Sequence, residues 1–185
     1  MTTAAPAKAQ ARAQPAVELC VVLACHDLVC ALPIRSVERL ALPRDLEPVP
    51  SRRRPDAKLG PGAIPPPAVM RLGAESWAAW DLGLMLGLAP AQGTWVLLRA
   101  PLDGGQVPLA LRTGPCFAVQ GVRPLAALPP GIFQARRAAL AGTFASAGGA
   151  VKGRVPAQVG LWIEPARLWE PLELAASAAA LREVR

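Results

Sequence analysis

The sequence predicts a mainly β protein of short strands, tight turns and few helices, closed into small barrels. Three observations carry that expectation. Proline (21) and glycine (16) make up a fifth of the 185 residues, and proline breaks helix interiors. Apolar residues are 52% and charged residues 18%, which is too apolar and too weakly charged for a disordered chain. The apolar residues recur in short runs bounded by turn residues, the pattern of numerous short strands and of small barrels. Tyrosine is absent and aromatics are only 4%, so the core is built from Leu, Val and Ala with five Trp as its large pieces. The length suits one domain or two small ones.

Met1 to Ala16 has two basic residues, no acidic one and no large apolar residue. It lacks the apolar stretch of a secretory signal and reads as a disordered tail, with a transit peptide the less favoured reading. Glu18 to Ala24 and Leu28 to Leu32 form a hairpin with its tip at His26-Asp27. Pro33 ends the second strand. Ile34, Val37 and Leu40 then recur at i, i+3 and i+6, which predicts one or two turns of amphipathic helix. Arg44 to Pro67 holds seven prolines and the cluster Arg52-Arg53-Arg54 with Lys58. It reads as a long exposed loop, partly polyproline-like.

Val69 to Leu72 and Trp77 to Asp81 are two further strands about the turn Gly73 to Ser76. Leu82 to Leu88 is a short helix, weakened at Gly87 and stopped by Pro90. Thr94 to Ala100 is a strand, Asp103-Gly104-Gly105 a hairpin turn and Val107 to Leu111 the return. Cys116 to Val122, Ala139 to Ala145 and Val159 to Ile163 are the remaining strands. Pro165 opens a helical turn, and Ala-rich Glu173 to Val184 is a terminal helix. No stretch of about 18 apolar residues lacks charge or proline. The four cysteines form no C-x-x-C pair and read as small buried hydrophobes of a reduced, cytoplasmic protein.

The order of these segments resembles the CheW-like domain of bacterial chemotaxis coupling proteins. Ala31-Leu32-Pro33-Ile34 with Val37 and Glu38 is similar to the family's segment after its opening strand pair. Leu46 to Pro50, Asp81-Leu82 with Leu86-Gly87-Leu88, Thr94 to Val122 and Leu161 to Leu168 resemble its later segments. The likeness spans residues 17–172. It implies two SH3-like five-stranded β-barrels sharing a core, and a non-enzymatic adaptor that bridges a chemoreceptor tip and a chemotaxis histidine kinase. Two departures stand out. The central turn, commonly Asn-Leu-Arg-Gly in the family, reads Arg71-Leu72-Gly73-Ala74 here. A strand that often ends in Asp ends in Arg112. These departures point to a divergent member with its own signalling or motility partner.

The candidate partner-binding residues are Arg71, Leu72 and Gly73 in the central turn, with Trp77, Arg112 and Arg52, Arg53 and Arg54 beside them. Trp77 and Trp80 are three apart and face opposite ways on a strand. Trp77 is expected to be the exposed anchor of the two. The arginine cluster fits an acidic protein face or a nucleic-acid backbone, and it also fits a plain solvated loop. The alternative function is therefore a basic β-barrel that binds nucleic acid, in keeping with the net charge of +7, although no aromatic lies among these arginines for base stacking. Cys25 and His26 do not make a nucleophile pair, because adjacent strand residues face apart. Neither Gly104-Gly105 nor Gly148-Gly149 has the phosphate-loop pattern. No carboxylate pair and no metal-ligand spacing appears, so no catalytic residue, metal or cofactor is assigned.

Overall fold

The computed structural model describes residues 16–50, 67–125, 140–146 and 159–184. The tail up to residue 15, and Arg52, Arg53, Arg54 and Lys58, lie outside the described residues. The strands, in chain order, are β1 (Glu18–Cys25), β2 (Leu28–Pro33), β3 (Arg39–Ala41), β4 (Glu47–Val49), β5 (Ala68–Leu72) and β6 (Glu75–Asp81). They continue with β7 (Trp95–Leu102), β8 (Gly105–Arg112), β9 (Cys116–Pro124), β10 (Leu140–Ser146) and β11 (Val159–Ile163). The helices are α1 (Leu82–Met85) and α2 (Pro171–Glu183).

One unit is a closed barrel in the order β1-β2-β11-β10-β9. The other is a six-stranded sheet in the order β3-β7-β8-β6-β5-β4. Its two outermost strands, β3 and β4, are consecutive in the chain and separated only by a 3-10 turn at Pro43–Asp45. One bent pass of chain thus pairs with β7 at one end and β5 at the other. In the barrel, β9 alone does both jobs, pairing with β1 and β10. The hairpin β1–β2 corresponds to β7–β8, the antiparallel pair β10–β11 to the hairpin β5–β6, and the parallel pair β2–β11 to β6–β8. The two units therefore share one topology, built from five chain passes each. The closed barrel is assembled from both ends of the chain, and the other unit from its middle.

Three hydrophobic clusters follow from strand alternation. Cys20, Val22, Ala31, Val122, Phe144 and Trp162 fill the barrel. Trp77, Trp95, Leu97, Ala110, Ala41 and Leu46 fill the second unit. The largest cluster lies between the units, where Val21, Leu23 and Cys25 of β1 meet Val96, Leu98, Leu109 and Leu111 of β7–β8. Residues of alternating parity on one strand thus serve two cores, as the pleat requires. At roughly 1.5–3 kcal/mol for each fully buried Leu or Val side chain, this shared core outweighs either interior. The α2 helix packs on the second unit, where Trp80 Nε1 donates to Ser177 Oγ at 3.0 Å and that hydroxyl donates to Glu173 O at 2.7 Å. Pro171 in its first turn and a capping box between Glu170 and Glu173 start it.

Three local expectations change. Ile34 to Leu40 is not an amphipathic helix: a 3-10 turn at Ile34–Ser36 gives way to β3. Glu38 N donates to Leu97 O at 2.8 Å, so pairing with β7 outcompetes a marginal one-turn helix. Residues 44–67 are not loop throughout, since β4 pairs with β5 from Glu47 to Val49. Its Pro48 sits in the outermost strand of the sheet, where a missing N–H is tolerated. Pro165 opens only a 3-10 turn, Pro165–Arg167.

Candidate partner-binding surfaces

Arg71, Leu72 and Gly73 do form one feature, the tight turn between β5 and β6. Leu72 pairs with Glu75 across it, and Gly73 takes φ +59°, a left-handed conformation that favours glycine. Arg71 is exposed, opposite Glu47 on β4 and Ser76 on β6. Leu72 is half-buried against the interior of the second unit. Trp77 is 1% exposed and is no surface anchor. The alternation argument is sound, but its phase is the reverse of the expected one. Trp77 faces the interior of the second unit, and Trp80 is the partly exposed member of the pair, tied to Ser177.

Arg99 covers Trp77. Its guanidinium lies 5.2 Å from the Trp77 ring centroid and binds Glu38 through two bonds, at 2.6 and 3.1 Å, and Glu75 at 3.5 Å. The bond to Glu38 pushes the guanidinium further above its ordinary range. Arg99 also lines a cleft of about 290 Å³ with Glu75, Ser76, Pro108 and Leu181 beside the β5–β6 turn. The Glu38–Arg99 pair joins residues 61 apart in sequence. No local pattern announces it, because the two meet only through β3–β7 pairing.

Arg112 is not part of that surface. It pairs with Trp95 on β7 and with Asp81 on β6, at the opposite end of the β6 strand from the turn. The second unit thus carries an arginine over a tryptophan at each end, Arg99 over Trp77 and Arg112 over Trp95, the latter at 5.7 Å. Such stacking contributes about 0.5–2 kcal/mol each.

An exposed apolar strip on the closed barrel was not anticipated from the sequence. Val17, Leu19, Phe117 and Val119 are each about half exposed. The β1–β9 register sets Val21 opposite Val119 and Leu19 opposite Gly121; Phe117, two residues before Val119, has no partner in the register because of a bulge at Val22/Leu23. This strip continues the face whose Val21 and Leu23 enter the shared core. The equivalent strand pair of the other unit, β3–β7, carries Leu40 opposite Val96, with Leu42 just beyond it, both more than a third exposed. A period-two signal in Phe117 and Val119 is legible in the sequence, but whether that face is covered is not.

The remaining candidates are structural. Burial pushes the Cys20 thiol up to about 12 and the Cys25 thiol up to about 11, and raises Cys30 and Cys116 as well. Raised thiols are poor nucleophiles. His26 adopts φ 55° at the hairpin tip, and its Nε2 donates to Ala89 O at 2.6 Å, a contact from one unit to the other. Among the described residues there is no group of three His, Cys, Asp or Glu that could hold a metal ion, and no helix is long and apolar enough to cross a membrane. Comparison with protein-family models and with curated proteins found no match for this chain.

Proposed function

We propose that this chain is a non-enzymatic, cytoplasmic adaptor of a chemotaxis-like signalling system. In this reading it couples a chemoreceptor to a histidine kinase, or serves a related signalling or motility partner. The observation that carries the reading is the pair of units with equivalent strand pairing, each with exposed apolar side chains on the same outer strand pair among the described residues. Two equivalent surfaces on one shared core suit a protein that holds two partners at once. Contiguous exposed apolar patches mark interaction sites more often than they occur by chance on a monomer. The segment order that resembles CheW-like domains supports the same reading.

The test is capture of a chemotaxis-type histidine kinase and of a receptor cytoplasmic fragment by the purified chain. Two double variants are compared with it: Phe117→Asp with Val119→Asp, and Leu40→Asp with Leu42→Asp. All four positions are already exposed, so melting should be unchanged within a few degrees. Each variant should lose one partner and keep the other. Full capture of both partners by both variants, or of neither by the wild type, overturns the reading.

A further inference from the structure

Among the described residues, Arg112 is held as a binding group rather than as half of an ion pair. Cross-strand register sets it directly opposite Trp95, and its guanidinium lies over that ring at 5.7 Å. It is half-buried, and its Nε is shut from solvent without an acceptor. The nearest acid by register is Asp81, on β6. That carboxylate is already spent on the backbone: Oδ1 accepts from Leu84 N at 3.1 Å, and both oxygens accept from Ala91 N at 3.0 Å. Arg99 of β7, the arginine stacked on Trp77, has Glu38 and Glu75 as partners. Arg112 has no ion pair among the described residues.

The surroundings are stiff. Thr113 N and Thr113 Oγ1 both donate to Thr94 O, at 2.9 and 3.1 Å, which joins the two strands just past the Trp95–Arg112 pair. A cleft of about 400 Å³ begins two residues further on. Gly114 and Pro115 form one wall, and the Asp81-bound Ala91 stands with Gln92 in another. Ala24, His26, Ala89 and Pro90 complete its lining, which mixes apolar and polar groups and does not include Arg112 itself.

We propose that Arg112, laid on Trp95 without an ion-pair partner among the described residues, anchors a side-chain carboxylate of an acidic peptide segment in a protein partner. A planar guanidinium donates two parallel hydrogen bonds to a carboxylate, and stacking on an aromatic ring orders the side chain in advance. A peptide fits better than a nucleic acid. Trp95 is buried beneath the guanidinium and offers no free face to a base, and a single anchored cation is not a track along a phosphate backbone. The proposal rests on the adaptor reading only in taking the ligand to be a protein. The adaptor reading is tested through the outer strips and stands or falls separately.

The experiment titrates the full chain into a fluorescein-labelled octaglutamate peptide, and separately into a labelled octathymidylate, reading anisotropy at fixed salt. Thermal melting checks that each variant folds. Octaglutamate should bind saturably, and Arg112→Gln should weaken it on the order of tenfold, the loss expected for one charged hydrogen-bonding partner. Arg112→Lys keeps the charge without the planar stack and should fall between the two. It carries the comparison if Arg112→Gln melts early. Absence of saturable octaglutamate binding, or binding unchanged in both variants, overturns the proposal. So does octathymidylate binding that is tighter than octaglutamate and equally dependent on Arg112.

Discussion

Gly160→Ala should open the closed barrel from within. A Cβ at Gly160 would stand 2.6 and 2.9 Å from Cε1 and Cζ of Phe144, and would also collide with the Val29 carbonyl oxygen. Ordinary carbon–carbon contact is about 3.5–4.0 Å, so the ring must retreat by roughly 1 Å. It has nowhere to go. Phe144 is fully buried among Cys20, Val22, Ala31, Val122 and Trp162. Overpacking of this kind costs about 1–3 kcal/mol. The collision with Val29 falls on backbone, in the parallel β2–β11 pair that closes the barrel, which places the loss near the upper end. For a chain of this size about 3 kcal/mol lowers Tm by roughly 6–12 °C. Circular dichroism melts and urea titrations of the variant measure it. Phe144→Leu in the Gly160→Ala background should recover part of the loss, because the ring contact vanishes while the backbone contact stays. A Gly160→Ala protein melting within 1 °C of wild type, to adopt a rough threshold, would refute the packing argument. So would a double variant whose losses simply add.

Three further outcomes follow from the same geometry. Trp77→Ala should destabilise by about 3–5 kcal/mol, and any loss of partner capture should track its melting curve, since Trp77 lies in the interior and not on the surface. Ser177→Ala should cost about 1–3 kcal/mol by leaving the part-buried Trp80 Nε1 without its acceptor, measured by urea denaturation at neutral pH. Stability should decline above pH 9. The unfolded thiols ionise near their ordinary value of 9.0, whereas folded Cys25 and Cys20 hold their protons up to about 11 and about 12. The unfolded chain therefore binds fewer protons in that window, and stability falls by about 1.4 kcal/mol per pH unit for each such thiol. Cys20→Ala should flatten the slope between pH 9 and 11, to take a rough window from the same linkage. An unchanged slope would show that the thiol ionises equally well when folded.

The strands were legible because apolar runs and turn residues are local signals. The hairpin at Asp103-Gly104 has φ of 46° and 77°, as that dipeptide favours, and Val159–Ile163 begins and ends where its apolar run does. The short segments were less so. Three residues, Arg39–Ala41, became strand because β7 lies beside them, although their spacing is helical. The candidate site divides in the same way. The turn Arg71-Leu72-Gly73 is a local feature and was found. The phase of Trp77 and Trp80 was not, because alternation says that two residues face apart and is silent on which side is the core.

By itself the sequence determined the mainly β class of this protein and the place of its longer strands and hairpin turns, since each depends on residues near one another in the chain. Only the tertiary structure decided that the chain's two ends close one barrel while its middle builds a topological twin. It also decided that Arg99 meets two carboxylates while Arg112 meets none among the described residues. The physical reason is that pairing and ion contacts are made across sheets, between residues tens of positions apart. The pleat fixes which side chains share a face, but only packing fixes which face is left to a partner.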